Sequence, residues 1–489
     1  MNVVLGTARI AGHEVLCRCE PDGADWPGVR LERSPTEVTL RRDHPGTRPL
    51  YYRIEPGAVR WSDDLREFTP ATPDPGHLLA LVHGTSPAPD ATGVPGVHRL
   101  VVGAEVRVDE SGVAVRRATD RGLPPGDDLG TAVTRVLNDA AGCPIAYSGG
   151  LASAFLAAAA LSAGHRPTLL HADLGPGTRH LPTPSVPGLT TTTVPIEITD
   201  LVDHRGITGA EPVVPLPDVV APMRLMDQLA AGGAVISGAL LEDLVSVRLP
   251  DVDAGVRGIR LLGLEPFHVT GVLRDLAQAR ALVEQQVVYP SGAGDSEAPA
   301  ERPPGSAPPP RPPGSGPLPG LTRAGEEAYA AARLATTAVW NEHLDSLDPV
   351  VGRAVAGLEE RGHGGALLPA LNPGVLAAAA ALRSGQIGRI RAGRFHNHLP
   401  LLTAVTAHGI AGVRRTPAGY WLRLAAAHHL RAHRTEIAAD LTRSSALADL
   451  GLIDPARIVE VLADGRDLAG HALPLLRLVW VERWLRRRS

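Results

Sequence analysis

The chain has 489 residues, with 48 basic and 52 acidic side chains, a net charge of −4, 44% hydrophobic and 20% charged residues. At roughly 150 residues per domain this length makes two or three units able to bury real cores, and the charge balance excludes a polycation gripping nucleic acid in bulk. Only three cysteines occur, Cys17, Cys19 and Cys143, which excludes a disulfide framework and a cysteine zinc module.

Every one of the 48 basic residues is arginine. Chemistry that needs a lysine base, a Schiff base or a phosphate-gripping ammonium is therefore closed to this chain. The opening stretch MNVVLGTARIAGHEVL lacks the basic flank and apolar core of a signal peptide, and no segment approaches the ~20 apolar residues of a membrane span. The expected location is cytoplasmic, with neither membrane nor nucleic acid as partner.

In chain order, the first 120 residues read as β-rich. Alternating runs at Val3–Leu5, Glu14–Cys19, Glu37–Arg41, Leu50–Ile54, Val59–Trp61, Val101–Val108 and Val113–Arg116 are broken by Gly, Pro and Asp, with one helix near Pro75–Val82. This spacing predicts a sandwich or layered sheet with Tyr51, Tyr52 and Trp61 in its core. Cys17 and Cys19 alternate on one strand face, too tight to bridge, and read as small buried hydrophobes.

Residues 121–489 read differently. A helix (Asp127–Ala141), a strand (Pro144–Tyr147), an Ala-rich helix (Ala152–Ala163) and strands at Thr168–His171, Thr191–Pro195 and Ala234–Ile236, with a helix near Arg224–Ala231, alternate as a parallel sheet requires. Ten Pro, six Gly and four Ser fall within residues 291–320, and a disordered loop is expected over about 288–320. Helices follow at Arg323–Leu344, Asp348–Arg361, Pro373–Ser384, Pro400–His408, Tyr420–Leu441, Pro455–Ala463 and Ala472–Arg488. Arg486–Arg488 close the last one, where cations favour a helix C-terminus, so it reads as a docking helix.

Ligands of a parallel sheet bind at its carboxyl edge. There the strand–Ser148-Gly149-Gly150–helix turn offers backbone N–H groups and a positive helix end to an anion, and Ser153, His171, Asp173, Ser237, Glu242 and Asp243 gather near it. Candidate catalytic residues are Glu242, Asp243, His171 and Asp173. A His beside Asp and Ser supports acid–base or nucleophilic work. The plainer assignment makes His171 and Asp173 strand-end and turn residues, and has Glu242 and Asp243 cap or solvate the following helix. His396 with His398, and His428 with His429, are spaced too closely to converge on one metal from a helix face, and read as surface or core histidines. No metal site is expected.

The segment AYSGGLASAFLAAAAL resembles the pyrophosphate loop (SGGLDS) of asparagine synthetases and their relatives, the β-lactam synthetases and lasso-peptide cyclases. VISGALLEDL (Val235–Leu244) resembles their second nucleotide motif, SGDGGDEL; DHPGTRPLYYR, WSDDLREF and GVPGVHRLVVGAEVRV resemble their glutaminase-like domain. PLPGLTRAGEEAYAAARL, LLPALNPGVLAAAAAL, HLPLLTAV, VRRTPAGYW and SSALADLGLIDPARI are similar to the helical half of lasso-peptide cyclases. The resemblance is colinear over nearly the whole chain. It implies an α+β then α/β architecture: residues 1–120 as a β-rich Ntn-type glutaminase-like domain, and 121–489 as a parallel-sheet PP-loop synthetase-like domain with a helical C-terminal half. It also implies an ancestral reaction, in which ATP and magnesium activate a carboxylate as an acyl adenylate and an amine then displaces AMP to make an amide.

The residues that carry that reaction are replaced. On the resemblance, Ser148, Gly149, Gly150, Ala152, Ser153, Ser237, Gly238 and Ala239 are the nucleotide-site equivalents, and the magnesium aspartates fall at Ala152 and Ala239. Two motif glycines become Leu240 and Leu241, closing a turn that needs close backbone approach, and the final Asp-Glu reads Glu242-Asp243. The KPLLR-like lysine falls at Leu399 and its arginine at Thr403, while the RTKG-like lysine falls at Pro417 or Ala418. Asn2 replaces the glutaminase cysteine nucleophile, which excludes ammonia production but not amide formation. One lost oxyanion donor alone costs ~2.7–4 kcal/mol, so losing two magnesium ligands and two lysines abolishes useful adenylation.

The expectation is an asparagine synthetase/lasso cyclase homologue of peptide natural-product (RiPP) biosynthesis that no longer adenylates, with no cofactor. It would act as a pseudoenzyme that binds a peptide or small natural-product substrate, as a partner of a catalytically complete paralogue or leader-binding protein, or through ATP-independent chemistry. The alternative is an ATP- and magnesium-dependent macrolactam (isopeptide) cyclase that compensates with Glu242, Asp243, Arg394, Arg414 and Arg415.

Overall fold

The computed structural model describes residues 5–11, 13–20, 29–42, 49–68, 73–84, 90–101, 104–117, 127–175, 185–207, 214–245, 318–342, 365–382, 384–391, 394–396, 398–413 and 420–488. Asn2, the expected helix Asp348–Arg361 and residues 288–317 of the expected loop lie outside them.

The amino-terminal part is built from antiparallel strands β1 (Leu5–Ala11), β2 (Glu14–Glu20), β3 (Val29–Arg33), β4 (Glu37–Arg42), β5 (Tyr51–Glu55), β6 (Ala58–Ser62), β7 (Val97–Arg99), β8 (Ala104–Asp109) and β9 (Gly112–Arg117). They form two sheets, ordered β2-β1-β6-β5-β7 and β3-β4-β8-β9. Alternate side chains of the two, among them Val38, Leu40, Trp61, Val106 and Val108, share one buried core. Tyr51, Tyr52 and Trp61 are buried as expected, and Cys17 and Cys19 pack against the core shared by the two sheets. Gly6 pairs with Trp61 across β1 and β6, and the indole fills the space a Cβ would need. The expected strand Val101–Val108 begins only at Ala104, while β3 and β7 were missed. β7 is three residues long, too short for alternation to register.

Helix α1 (Pro75–His83) leaves this sandwich. Asp74 accepts the His77 N–H at 2.6 Å as its N-cap, Pro75 occupies the first turn where its missing N–H is harmless, and Gly84 ends it at φ 71°. Next come α2 (Leu129–Asp139), β10 (Ile145–Ala146), α3 (Leu151–Ser162), β11 (Leu169–Asp173), β12 (Thr191–Pro195), α4 (Ile198–Leu201), α5 (Pro217–Ala230), β13 (Val235–Ile236), α6 (Leu241–Leu244), α7 (Arg323–Glu342) and β14 (Ala366–Leu367). Strands β10 to β14 form one parallel sheet in the order β12-β11-β10-β13-β14, so the chain reverses direction across the sheet between β10 and β13. Helix α5 starts at Pro217 rather than near Arg224, because Pro217 sits at its first turn and Pro222 is accommodated inside it. Strand β14, two residues long, had no sequence signal.

The remaining elements are α8 (Pro373–Ala381), α9 (Ser384–Ile387), β15 (Arg389–Arg391), β16 (Arg394–His396), α10 (Leu399–Ala407), α11 (Tyr420–Arg443), α12 (Ala446–Asp449), α13 (Pro455–Ala463) and α14 (Gly465–Arg488). Successive residues of the central strands point to opposite sides of the sheet. Ile145, Leu169 and Ile236 join a core with α2, α3, α8 and α10, whereas Ala146 and Val235 join one with α5, α11, α13 and α14. The result is mixed α/β, with two antiparallel sheets followed by a parallel sheet covered by helices on both faces. Among the described residues no helix is long and apolar enough to cross a membrane.

One ion pair ties the C-terminal helix to the sheet layer. Arg477 of α14 is 1% exposed and donates from Nε and Nη2 to the Asp218 carboxylate of α5 at 2.6 and 2.7 Å. Its guanidinium also fills the space beside Gly84, so any side chain at the end of α1 would displace it. Asp218→Ala is therefore expected to destabilise the chain by ~3–5 kcal/mol in urea unfolding, by stripping a buried charge of its carboxylate. Breaking the exposed Arg323–Glu327 pair should cost under ~0.5 kcal/mol in the same assay.

Candidate functional site

Two short loops follow the carboxyl ends of β10 and β13. After β10, Ser148 is exposed, Gly149 is buried at φ 78°, and Gly150 is the N-cap of α3. Gly150 has no side chain to cap with, so the first N–H groups of α3 need outside acceptors. The serines knit the loop itself. Gly150 N–H donates to Ser148 Oγ at 3.2 Å, Ser153 Oγ donates to the Gly150 carbonyl at 3.0 Å, and the two hydroxyls lie 3.3 Å apart. Helix α3 is apolar almost all round and buried from Ser153 to Ala160, so the loop rests on a rigid base.

After β13, Ser237 is buried and its Oγ accepts the Ala239 N–H at 3.3 Å. Gly238 packs directly on the first turn of α3, where a Cβ would lie 3.0 Å from that of Ala152. Leu240 stands at φ 70°, a left-handed backbone that costs a side-chain-bearing residue roughly 1–2 kcal/mol, and Leu241 is fully buried. This geometry carries Glu242 back over the first loop, where its Oε1 accepts the Ala152 N–H at 3.0 Å. The helix end that would receive an anion thus receives this carboxylate.

His398 completes the arrangement. It is the N-cap residue of α10, held at φ 57°, and half-buried. Burial pushes its imidazole below the ordinary histidine range, while the Glu242 carboxylate and the carbonyls of Glu242 and Val245 pull the other way. His398, read from the sequence as a surface or core residue, therefore belongs beside the loops. No spacing rule could find it, because tertiary packing alone brings α10 to Glu242.

The other sequence candidates serve the backbone. His171 Nδ1 donates to the Tyr147 carbonyl at 2.9 Å, and Asp173 Oδ1 accepts the Gly175 N–H at 2.9 Å, a strand-end and a turn contact. Asp243 lies in α6, and its side chain is outside the described residues, as are Arg414 and Arg415 and the side chain of Arg394.

A second cluster lies beyond β12. His204, in a 3₁₀ turn (His204–Gly206), and His429 of α11 are 2% and 1% exposed, with His204 Nδ1 2.8 Å from His429 Nε2. Asp203 Oδ1 is 4.0 Å from His204 Nδ1, and the His433 ring lies 4.6 Å from that of His429. Burial, then the neighbouring charges of His429 and Arg483, lower His204 to about 3; burial and His433 lower His429 to about 4. Burial alone would raise the Asp203 carboxyl, but hydrogen bonds and charge from Arg205 hold it at about 2. The sequence did hold a signal here: His429 and His433 are one helical turn apart, a spacing obscured by the adjacent His428-His429 pair.

No family model matches the chain, and no curated protein is detectably similar to it in sequence.

Two substitutions test the loop geometry by urea unfolding. Leu240→Gly should change stability by less than ~1 kcal/mol, because relief of the left-handed strain offsets lost packing, whereas Leu241→Gly should cost more than ~3 kcal/mol. Glu242→Ala should cost about 1 kcal/mol as the loss of a helix cap.

Proposed function

We propose that the chain is an asparagine synthetase-like protein, nearest to lasso-peptide cyclases, in which the adenylating centre has become a structural joint. It acts in peptide natural-product biosynthesis as a substrate-binding or partner protein, without ATP or magnesium. The sheet order with its reversal between β10 and β13 supports a PP-loop type of sheet, since nucleotides bind at such a reversal. The double antiparallel sheet of residues 5–117 supports a glutaminase-like amino-terminal domain. Leu240 keeps the left-handed backbone that a motif glycine adopts freely, which supports descent from a glycine-bearing loop.

The single observation that carries the loss of adenylation is the Glu242 carboxylate on the Ala152 N–H. A negative side chain occupies the place where a phosphate would be held, and Ala152 and Ala239 supply no metal ligand. Two like charges ~4 Å apart repel by about 4 kcal/mol at an effective dielectric near 20. That exceeds the ~0.3–1 kcal/mol typical of a helix end attracting one anion. Because His171 and Asp173 serve the backbone, a binding role is favoured over rewired catalysis at this edge. The ligand at this edge is a peptide or small natural product; a catalytically complete paralogue or a leader-binding protein would supply any chemistry.

Isothermal titration of the purified full chain with ATP and magnesium should give no saturable heat, and incubation with a precursor peptide should release no AMP. Tight magnesium-dependent ATP binding, with AMP formed in proportion to macrolactam, would restore the ATP-dependent cyclase and overturn this reading.

A further inference from the structure

We propose that Asp203, His204, His429 and His433 form a binding site for one borderline first-row divalent cation, for which zinc is the natural probe. The site is separate from the loops after β10 and β13 and does not depend on the function proposed above.

The donor set points to this class of ion. Imidazole nitrogens with a carboxylate suit zinc and its neighbours, whereas magnesium and calcium take oxygen shells. One donor atom each from Asp203, His204 and His429 lies within 4.8 Å of the others. A tetrahedral zinc with bonds of about 2.0–2.1 Å holds its ligand atoms about 3.3 Å apart. The observed 2.8 Å between His204 Nδ1 and His429 Nε2 and 4.0 Å between His204 Nδ1 and Asp203 Oδ1 lie on either side of that value, each within ~1 Å of it, while His433 stands outside this set of three and would turn toward it.

A buried pair of histidines needs an explanation of its own. The rings meet through His204 Nδ1 and His429 Nε2, the two nitrogens that would ligate, so a bound ion would replace this hydrogen bond with two coordinate bonds. His429 and His433 sit one turn apart on α11, which lays both rings on one helix face. His433 Nδ1 contacts Glu436 Oε2 at 3.3 Å, the carboxylate–imidazole arrangement that orients a ligand and leaves Nε2 for the metal. Its side chain is 22% exposed, which gives the ion a way in.

The supporting frame is fixed. Arg224 Nη1 donates to the carbonyls of Asp200, Leu201 and Asp203 at 3.2 Å each, and Arg483 Nη2 to that of Arg205 at 3.2 Å. Asp203 Oδ1, the oxygen nearest His204 Nδ1, also accepts two N–H groups of Arg205, so the carboxylate would be shared between Arg205 and the cation. A bound ion would staple the turn after β12 to α11, stabilising the joint between sheet and helical layer.

The test is zinc titration of the metal-stripped full chain against a chromophoric chelator, with cobalt absorption as a second readout. The wild type should take up one zinc per chain, show a tetrahedral cobalt spectrum and gain thermal stability on zinc addition. His204→Gln and His429→Gln should weaken zinc by about 100-fold or more, His433→Gln by about 10-fold, and the exposed neighbour His428→Gln not at all. Should the buried variants fail to fold, the wild-type stoichiometry and the partly exposed His433→Gln still decide. Absence of stoichiometric zinc uptake by the wild type, or unchanged affinity in folded His204→Gln, His429→Gln or His433→Gln, overturns the proposal.

Discussion

The contact between the Glu242 carboxylate and the Ala152 N–H governs how the centre of this molecule can be used. Helix α3 begins at a glycine that cannot cap it, directly after the Ser148-Gly149 turn. Physics demands an acceptor at that point, whether ligand, water or side chain. Here the chain supplies its own. The consequence reaches both loops, because the residue that caps α3 follows β13 and is itself faced by His398 from α10. Three elements distant in sequence are joined through one charged group.

The same economy of charge runs through the rest of the parallel-sheet region. Arg477 and Asp218 lock α14 to α5, Glu482 caps α12 by accepting the Ala446 and Leu447 N–H groups, and Arg224 gathers three carbonyls of the turn after β12. In each case a charged side chain holds backbone or a buried partner, not solvent. Burial raises the Glu482 carboxyl above its ordinary value although three hydrogen bonds and Arg486 oppose it, the mark of a group kept for structure at an electrostatic cost. Arginine suits these tasks better than lysine, since its fork satisfies two acceptors at once.

Much of this was legible in the sequence, and what was not has physical causes. The change from period-two runs to strand–helix alternation near residue 120 separates the antiparallel sheets from the parallel one, and the Ser148-Gly149-Gly150 turn falls between β10 and α3 as read. Glu242 was placed as a helix cap, though of the helix that follows it and not of α3, ninety residues away. His398 and the His204–His429 contact were not legible because packing creates both, and only the one-turn spacing of His429 and His433 pointed toward the second. The short strands β7 and β14 escaped because two or three residues carry no pattern, and α5 was truncated because Pro222 reads as a breaker although the structure accommodates it.

A crystal structure of the full chain grown with millimolar ATP and magnesium tests the central claim most directly. The account predicts Glu242 still bonded to the Ala152 N–H and no triphosphate across Gly149 and Gly150. A triphosphate seated on that turn, with Glu242 turned outward to hold its magnesium, would contradict it.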